Sequence, residues 1–119
     1  MKRIYESPAS DDGLRVLVER LWPRGVSKAE ARLDAWEREI APSTELRRWY
    51  GHDPEKWDEF QAKYERELRA PEAQKILDRL VRLAREGAVT LLYSSRASEI
   101  SNAAVLRRLL ENREVPSDT

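Results

Sequence analysis

The run Ala88-Val89-Thr90-Leu91-Leu92-Tyr93 constrains this chain more than any other segment. It is strand-length, almost wholly apolar, and bounded by Gly87 and Ser94. A run of this kind keeps no polar face for water, so it reads as a strand buried on both sides, as in parallel sheets. Residues 15–20 carry a second such run, Val16-Leu17-Val18. Parallel strands need a long crossover between them. The helix-rich stretch between Arg20 and Ala88 supplies one. The expected class is α/β: one small domain over residues 1–115, with a short, mainly parallel open sheet and helices packed around it.

Local signals place the remaining elements. Residues 2–5 read as a short strand, and residues 7–13 as a loop dense in turn formers. Pro23 cannot donate to a ladder and ends the second strand. Ser27 is an N-cap for a short helix to about residue 31. Residues 33–40 fit either a helix, with Leu33, Trp36 and Ile40 on one face, or an extended segment, with Trp36, Arg38 and Ile40 on one side. Ser43 caps a helix to about residue 50, closed by Gly51. Asp53 at N-cap and Pro54 at N1 start a helix to about residue 69. Its stripe is Trp57, Phe60, Tyr64 and Leu68. A further helix covers residues 71–86 and ends at Gly87. Residues 94–101 form a polar loop, residues 102–112 a last helix, and residues 116–119 a frayed tail.

Composition removes whole classes of chemistry. The 119 residues include no cysteine, which excludes disulfides, thiolate metal sites and cysteine nucleophiles. One histidine excludes a multi-histidine metal centre. The four glycines are too dispersed for a dinucleotide fingerprint or a P-loop. Lys and Arg total 22 against 22 Asp and Glu, a balance that disfavours general nucleic-acid binding. No apolar stretch reaches the roughly 18 residues of a membrane span. The amino-terminal residues enter a strand without a signal-peptide core, so a cytoplasmic location is expected. The sequence leaves any cofactor unknown.

Open parallel sheets bind ligands beyond the carboxyl ends of their strands. Two segments leave such ends: Arg20-Leu21-Trp22-Pro23-Arg24-Gly25 and Tyr93-Ser94-Ser95-Arg96-Ala97-Ser98. If the two strands are adjacent, Arg20, Arg24 and Arg96 can hold an anion while Ser43, Ser94 and Ser95 donate hydrogen bonds. The competing reading pairs these arginines with carboxylates of a highly charged chain. Trp22 either stacks on a ligand or plugs a core edge, the commoner role. His52 is the one side chain with an ordinary pKa near neutrality. It is either a general base or a residue that organises the turn before Asp53.

The segment Gly13-Leu14-Arg15-Val16-Leu17-Val18-Glu19-Arg20-Leu21-Trp22-Pro23-Arg24-Gly25 resembles the signature of the DUF488 family, in its YeaO-like group. The resemblance continues through Ala41-Pro42-Ser43-Thr44-Glu45-Leu46-Arg47, Gly51-His52-Asp53-Pro54 and Val89-Thr90-Leu91-Leu92-Tyr93, and covers nearly the whole chain. It implies a small cytoplasmic α/β protein of mostly bacterial distribution. The family is named for its unknown function, so no activity comes with it. Arg20, Trp22, Arg24, Ser43, His52 and Tyr93 fall in the recurring motifs. After Tyr93 the chain departs from the pattern. Ala97 stands where an Asp is usual, and Ile100 and Ser101 where a His-Asn pair is usual.

Two functions are expected to compete. One is binding of a small anionic, phosphate- or nucleotide-like ligand at the sheet's carboxyl edge, with or without catalysis. The other is a non-enzymatic interaction protein, homo-oligomeric or partner-binding, in which the loop arginines are structural.

Overall fold

A computed structural model describes residues 1–113. The expected tail at residues 116–119, and the exact end of the domain, lie outside them. Four strands, β1 (Lys2–Arg3), β2 (Leu14–Leu17), β3 (Ala35–Trp36) and β4 (Val89–Tyr93), form one sheet in the order β1-β4-β2-β3. All pairings are parallel, with Val16 opposite Leu91 and Leu17 opposite both Leu92 and Trp36. The α/β class is therefore as expected, and the sheet is parallel throughout.

Among the described residues five α-helices accompany the sheet: α1 (Lys28–Ala31), α2 (Thr44–Tyr50), α3 (Trp57–Glu67), α4 (Pro71–Glu86) and α5 (Asn102–Asn112). Their ends follow the local signals. The Ser27 hydroxyl accepts from the Glu30 N–H, and Glu30 reaches back to the Ser27 N–H. Ser43 caps α2 by accepting from the Leu46 N–H, and Gly51 closes it with φ 53°. Asp53 and Pro54 open a single 3-10 turn, Pro54–Lys56, before α3 begins. Helix α3 stops at Glu67, two residues short of the expected end, because Pro71 begins α4 at its N1 position.

Residues 33–40 use both local options in succession. Ala35–Trp36 is an edge strand beside β2, and Arg38–Ile40 is one 3-10 turn. Pairing with β2 selects the extended form: the Asp34 N–H donates to the Arg15 carbonyl and the Glu37 N–H to the Leu17 carbonyl.

Strand alternation divides the core. Val16, Val18, Leu91 and Tyr93 face the larger cluster, with Phe60, Tyr64, Leu77, Leu80 and Leu106 from the helices. Leu17 and Leu92 face a smaller one with Ile4 and Ala31, edged by Trp22, Val26, Leu33 and Trp36. Both central strands are thus covered on both sides, as their uninterrupted apolar runs require. Helix α2 lies against α3 in the larger cluster, with Leu46 and Tyr50 buried there. This placement brings the last turn of α2 to the carboxyl edge of β2 and β4.

Candidate functional site

A cavity of about 310 Å³ opens at that edge. Glu19 and Leu21, following β2, form one side, and Ser94 and Ser95, following β4, another. Helix α2 contributes Thr44, Arg47, Arg48 and Tyr50, and the turn after it His52. Pro42, Phe60, Ile100, Ser101 and Asn102 complete the lining.

Buried hydrogen bonds fix most of this wall. Glu19 is only 4% exposed. Its Oε1 accepts from both the backbone N–H and the hydroxyl of Ser94, each at 3.0 Å. The Glu19 carbonyl accepts from Trp36 Nε1 at 2.6 Å. Arg3 grips the same loop from outside, donating to the carbonyls of Ser94 and Ser95. Asn102 Nδ2 donates to the Val18 carbonyl at 2.6 Å, tying the start of α5 to the end of β2. The Tyr50 hydroxyl donates to the Ile100 carbonyl at 2.8 Å. Burial, aided by the charge of Asp53, raises its pKa. Tyr64, beneath the site, donates to the Ile40 carbonyl. Burial pushes its pKa far up, so it stays a neutral donor.

The cations are less constrained. Arg47 Nη1 is 3.9 Å from Glu19 Oε2, beyond hydrogen-bond length. Arg48 is exposed and has no partner among the described residues. His52 is also exposed, takes a left-handed φ of 57°, and has its ring centroid 6.2 Å from that of Tyr50. Among the described residues no hydrogen bond joins His52 to a serine, so no nucleophile–base pair is assembled. No cluster of three or more metal-ligating carboxylate or histidine side chains occurs among them either.

The structure thus brings Ser94, Ser95 and His52 to one cavity and directs the other sequence candidates elsewhere. Arg20 does not reach the cavity, because its guanidinium donates to the carbonyls of Ala41 (2.9 Å) and Pro42 (3.2 Å). It clamps the entry to α2. Arg24 lies in a loop folded towards the end of β1, where its carbonyl accepts from the Tyr5 hydroxyl. Trp22 is the core plug: it meets Trp36 edge-on at 5.3 Å and donates to the Val26 carbonyl. Ser43 is committed to the α2 cap and to Glu67, to which its hydroxyl donates. Arg96 is exposed and outside the lining.

Sequence reading passed over Glu19, Arg47 and Arg48. A signal existed for Glu19, a lone acid directly after a doubly buried strand. For the arginines it was the Arg47-Arg48 pair in the last turn of a helix with both caps marked. The departure after Tyr93 also takes shape here. Ala97 is exposed and begins a 3-10 turn (Ser98–Ile100). Ile100 gives the cavity an apolar wall, and the Ser101 hydroxyl caps α5.

A parallel sheet with a cavity at its carboxyl edge defines the class: a small single-sheet α/β protein, with its cavity on the edge where such sheets commonly bind ligands. The chain belongs to the DUF488 family, matching over residues 1–118 the model described as the inactive DUF488-N3 subclade. It is 44% identical to the uncharacterised protein Rv3073c of Mycobacterium tuberculosis over 111 residues, covering 93% of this chain and 92% of that protein. It is 40% identical to the uncharacterised protein YeaO of Escherichia coli over 105 residues, covering 88% and 90%. No solved structure matches the chain. Among the described residues, no helix is long and apolar enough to cross a membrane.

Proposed function

We propose that this protein binds a small anionic ligand, phosphate- or nucleotide-like, in the cavity at the carboxyl edge of its sheet, and does so without turning it over. One observation carries the reading. Arg47 and Arg48 line, from the last turn of α2, a cavity faced by serines, and neither guanidinium has a hydrogen-bonded carboxylate partner among the described residues. Guanidinium forks and hydroxyls suit phosphate and carboxylate groups. The absence of catalysis is supported by three facts. The matching subclade is described as inactive, His52 has no hydrogen-bonded nucleophile among the described residues, and the wall after Tyr93 presents Ile100 rather than a proton carrier.

A thermal-shift panel of inorganic phosphate, ribose 5-phosphate and nucleotides, at fixed ionic strength, tests this. A ligand specific for the folded state raises the midpoint by mass action. We expect a concentration-dependent rise in the wild type that Arg47→Ala with Arg48→Ala removes, without product in the ligand recovered afterwards. An unchanged midpoint with every anion overturns the binding, and conversion of the ligand overturns the inactivity.

A second reading rests on Leu21, which is 67% exposed beside the same cavity. There the cavity mouth is an interaction surface for a second copy or another protein. A solution mass near twice 13.9 kDa that reverts to one chain in Leu21→Ser supports it. A single-chain mass at all concentrations removes the homodimer.

A further inference from the structure

Glu19 is out of place in a cavity for a simple anion. Its carboxylate lies among the arginines and serines, more than nine-tenths buried, and repels whatever the arginines attract. Oε1 is satisfied by the two donors of Ser94. Oε2 has only Arg47, at 3.9 Å, and no donor within hydrogen-bond distance among the described residues. Two polar side chains of neighbouring segments are engaged elsewhere. Arg20 is held by Ala41 and Pro42, and the Asn102 amide by Val18. Among the described residues Arg15 Nη2 is the one fully buried side-chain polar atom without a partner, so Oε2 keeps access to the cavity, where a carboxylate oxygen is a strong acceptor for any N–H that reaches it.

Resting on the anion site proposed above, we infer that Glu19 is its specificity-determining residue and that the ligand carries two groups: an anion for Arg47 and Arg48, and an N–H donor for Glu19 Oε2. The donor is an ammonium, an amidine or guanidine, or the amino edge of a nucleobase. Hydroxyl-only anions such as sugar phosphates leave Oε2 unanswered and bind less well. The charge pattern also assigns Arg47 two duties, since it faces Glu19 on one side and the ligand's anion on the other.

Calorimetric titration with two matched pairs tests this: adenosine 5′-monophosphate against ribose 5-phosphate, and 4-guanidinobutyrate against butyrate. The first pair probes a nucleobase donor and the second a guanidino acid. In at least one pair the N–H-bearing member is expected to bind wild type about tenfold or more tighter, the worth of a hydrogen bond to a charged acceptor. Glu19→Gln keeps an acceptor for Ser94 but puts an NH2 where Oε2 was. It should erase that advantage and, by removing a charge that repels the anion, let the member lacking the N–H bind at least as tightly as it binds wild type. Equal affinities within both pairs, or an advantage that survives Glu19→Gln, overturn the inference. The wild-type comparison holds even if that variant does not fold. Ribose 5-phosphate binding with no advantage in either pair removes only the role of Glu19. No binding of any of the four removes the anion site as well.

Discussion

Gly13 has φ 65° and ψ −134°, and a Cβ built on it would lie 2.2 Å from the Ala88 carbonyl oxygen. The two segments approach so closely there because the Leu14 N–H donates to that same carbonyl at 3.0 Å, starting the β2–β4 ladder. Both conformation and space require glycine. Gly13→Ala is therefore expected to cost at least about 2 kcal/mol, read as a lower urea midpoint. Next to it, Asp12 accepts from the Ala9 N–H, Lys2 and Arg15. The Ala9 bond is the largest cause holding its carboxyl below the usual range, against the opposing effect of burial, with Lys2 and Arg15 adding to the lowering. A carboxyl with a lowered folded pKa stabilises the fold above its unfolded pKa, near 4, and loses that contribution as pH falls through the folded value. Asp12→Asn should therefore narrow the difference in urea midpoint between pH 7 and pH 3.

Helix α2 shows how a local device serves the cavity without touching a ligand. Ser43 caps it, Glu67 of α3 accepts from the Ser43 N–H and hydroxyl, and Arg20 clamps the preceding carbonyls. Removing the cap by Ser43→Ala is expected to cost about 1–2 kcal/mol. Because Ser43 lies outside the cavity lining, the folded variant should bind anions as wild type does; a selective loss of binding would return Ser43 to the site. The aromatic stack of Tyr50 on Phe60, 4.1 Å between centroids, joins α2 to α3. Phe60→Ala is expected to cost about 3–5 kcal/mol and to weaken ligand binding as well, since Phe60 also lines the cavity.

Across the molecule, the sheet is the shared wall of two unequal cores, and β4 contributes to both. Leu92 is fully buried in the smaller one, between Ile4 and Leu17. Leu92→Ala is expected to cost about 2–5 kcal/mol. Since one sheet backs both clusters, tryptophan fluorescence and circular dichroism should report a single coincident transition in wild type and variant. Two transitions would mean that the clusters unfold independently.

The elements written locally were legible in advance. The Ser27, Ser43 and Asp53 caps, the Gly51 stop and the apolar stripes of α3, α4 and α5 each depend on groups within a few residues. The doubly buried runs around Leu17 and Leu92 carried the α/β class for the same reason. Residues 33–40 were not decided locally, because their extended part exists only through the bonds that β2 offers. Site membership depended still more on distant groups. Arg20, Arg24 and Arg47 are chemically alike; the first two follow β2 and the third lies in the last turn of α2. Arg20 is held back by two carbonyls about twenty residues away in sequence and Arg24 is carried towards β1, whereas Arg47 is set beside a buried carboxylate. Chain composition and periodicity settle which segments become strands and helices, since backbone geometry and burial act over one or two turns. Which guanidinium is left for a ligand is settled by the acceptors that folding brings within 3 Å, and those come from other elements.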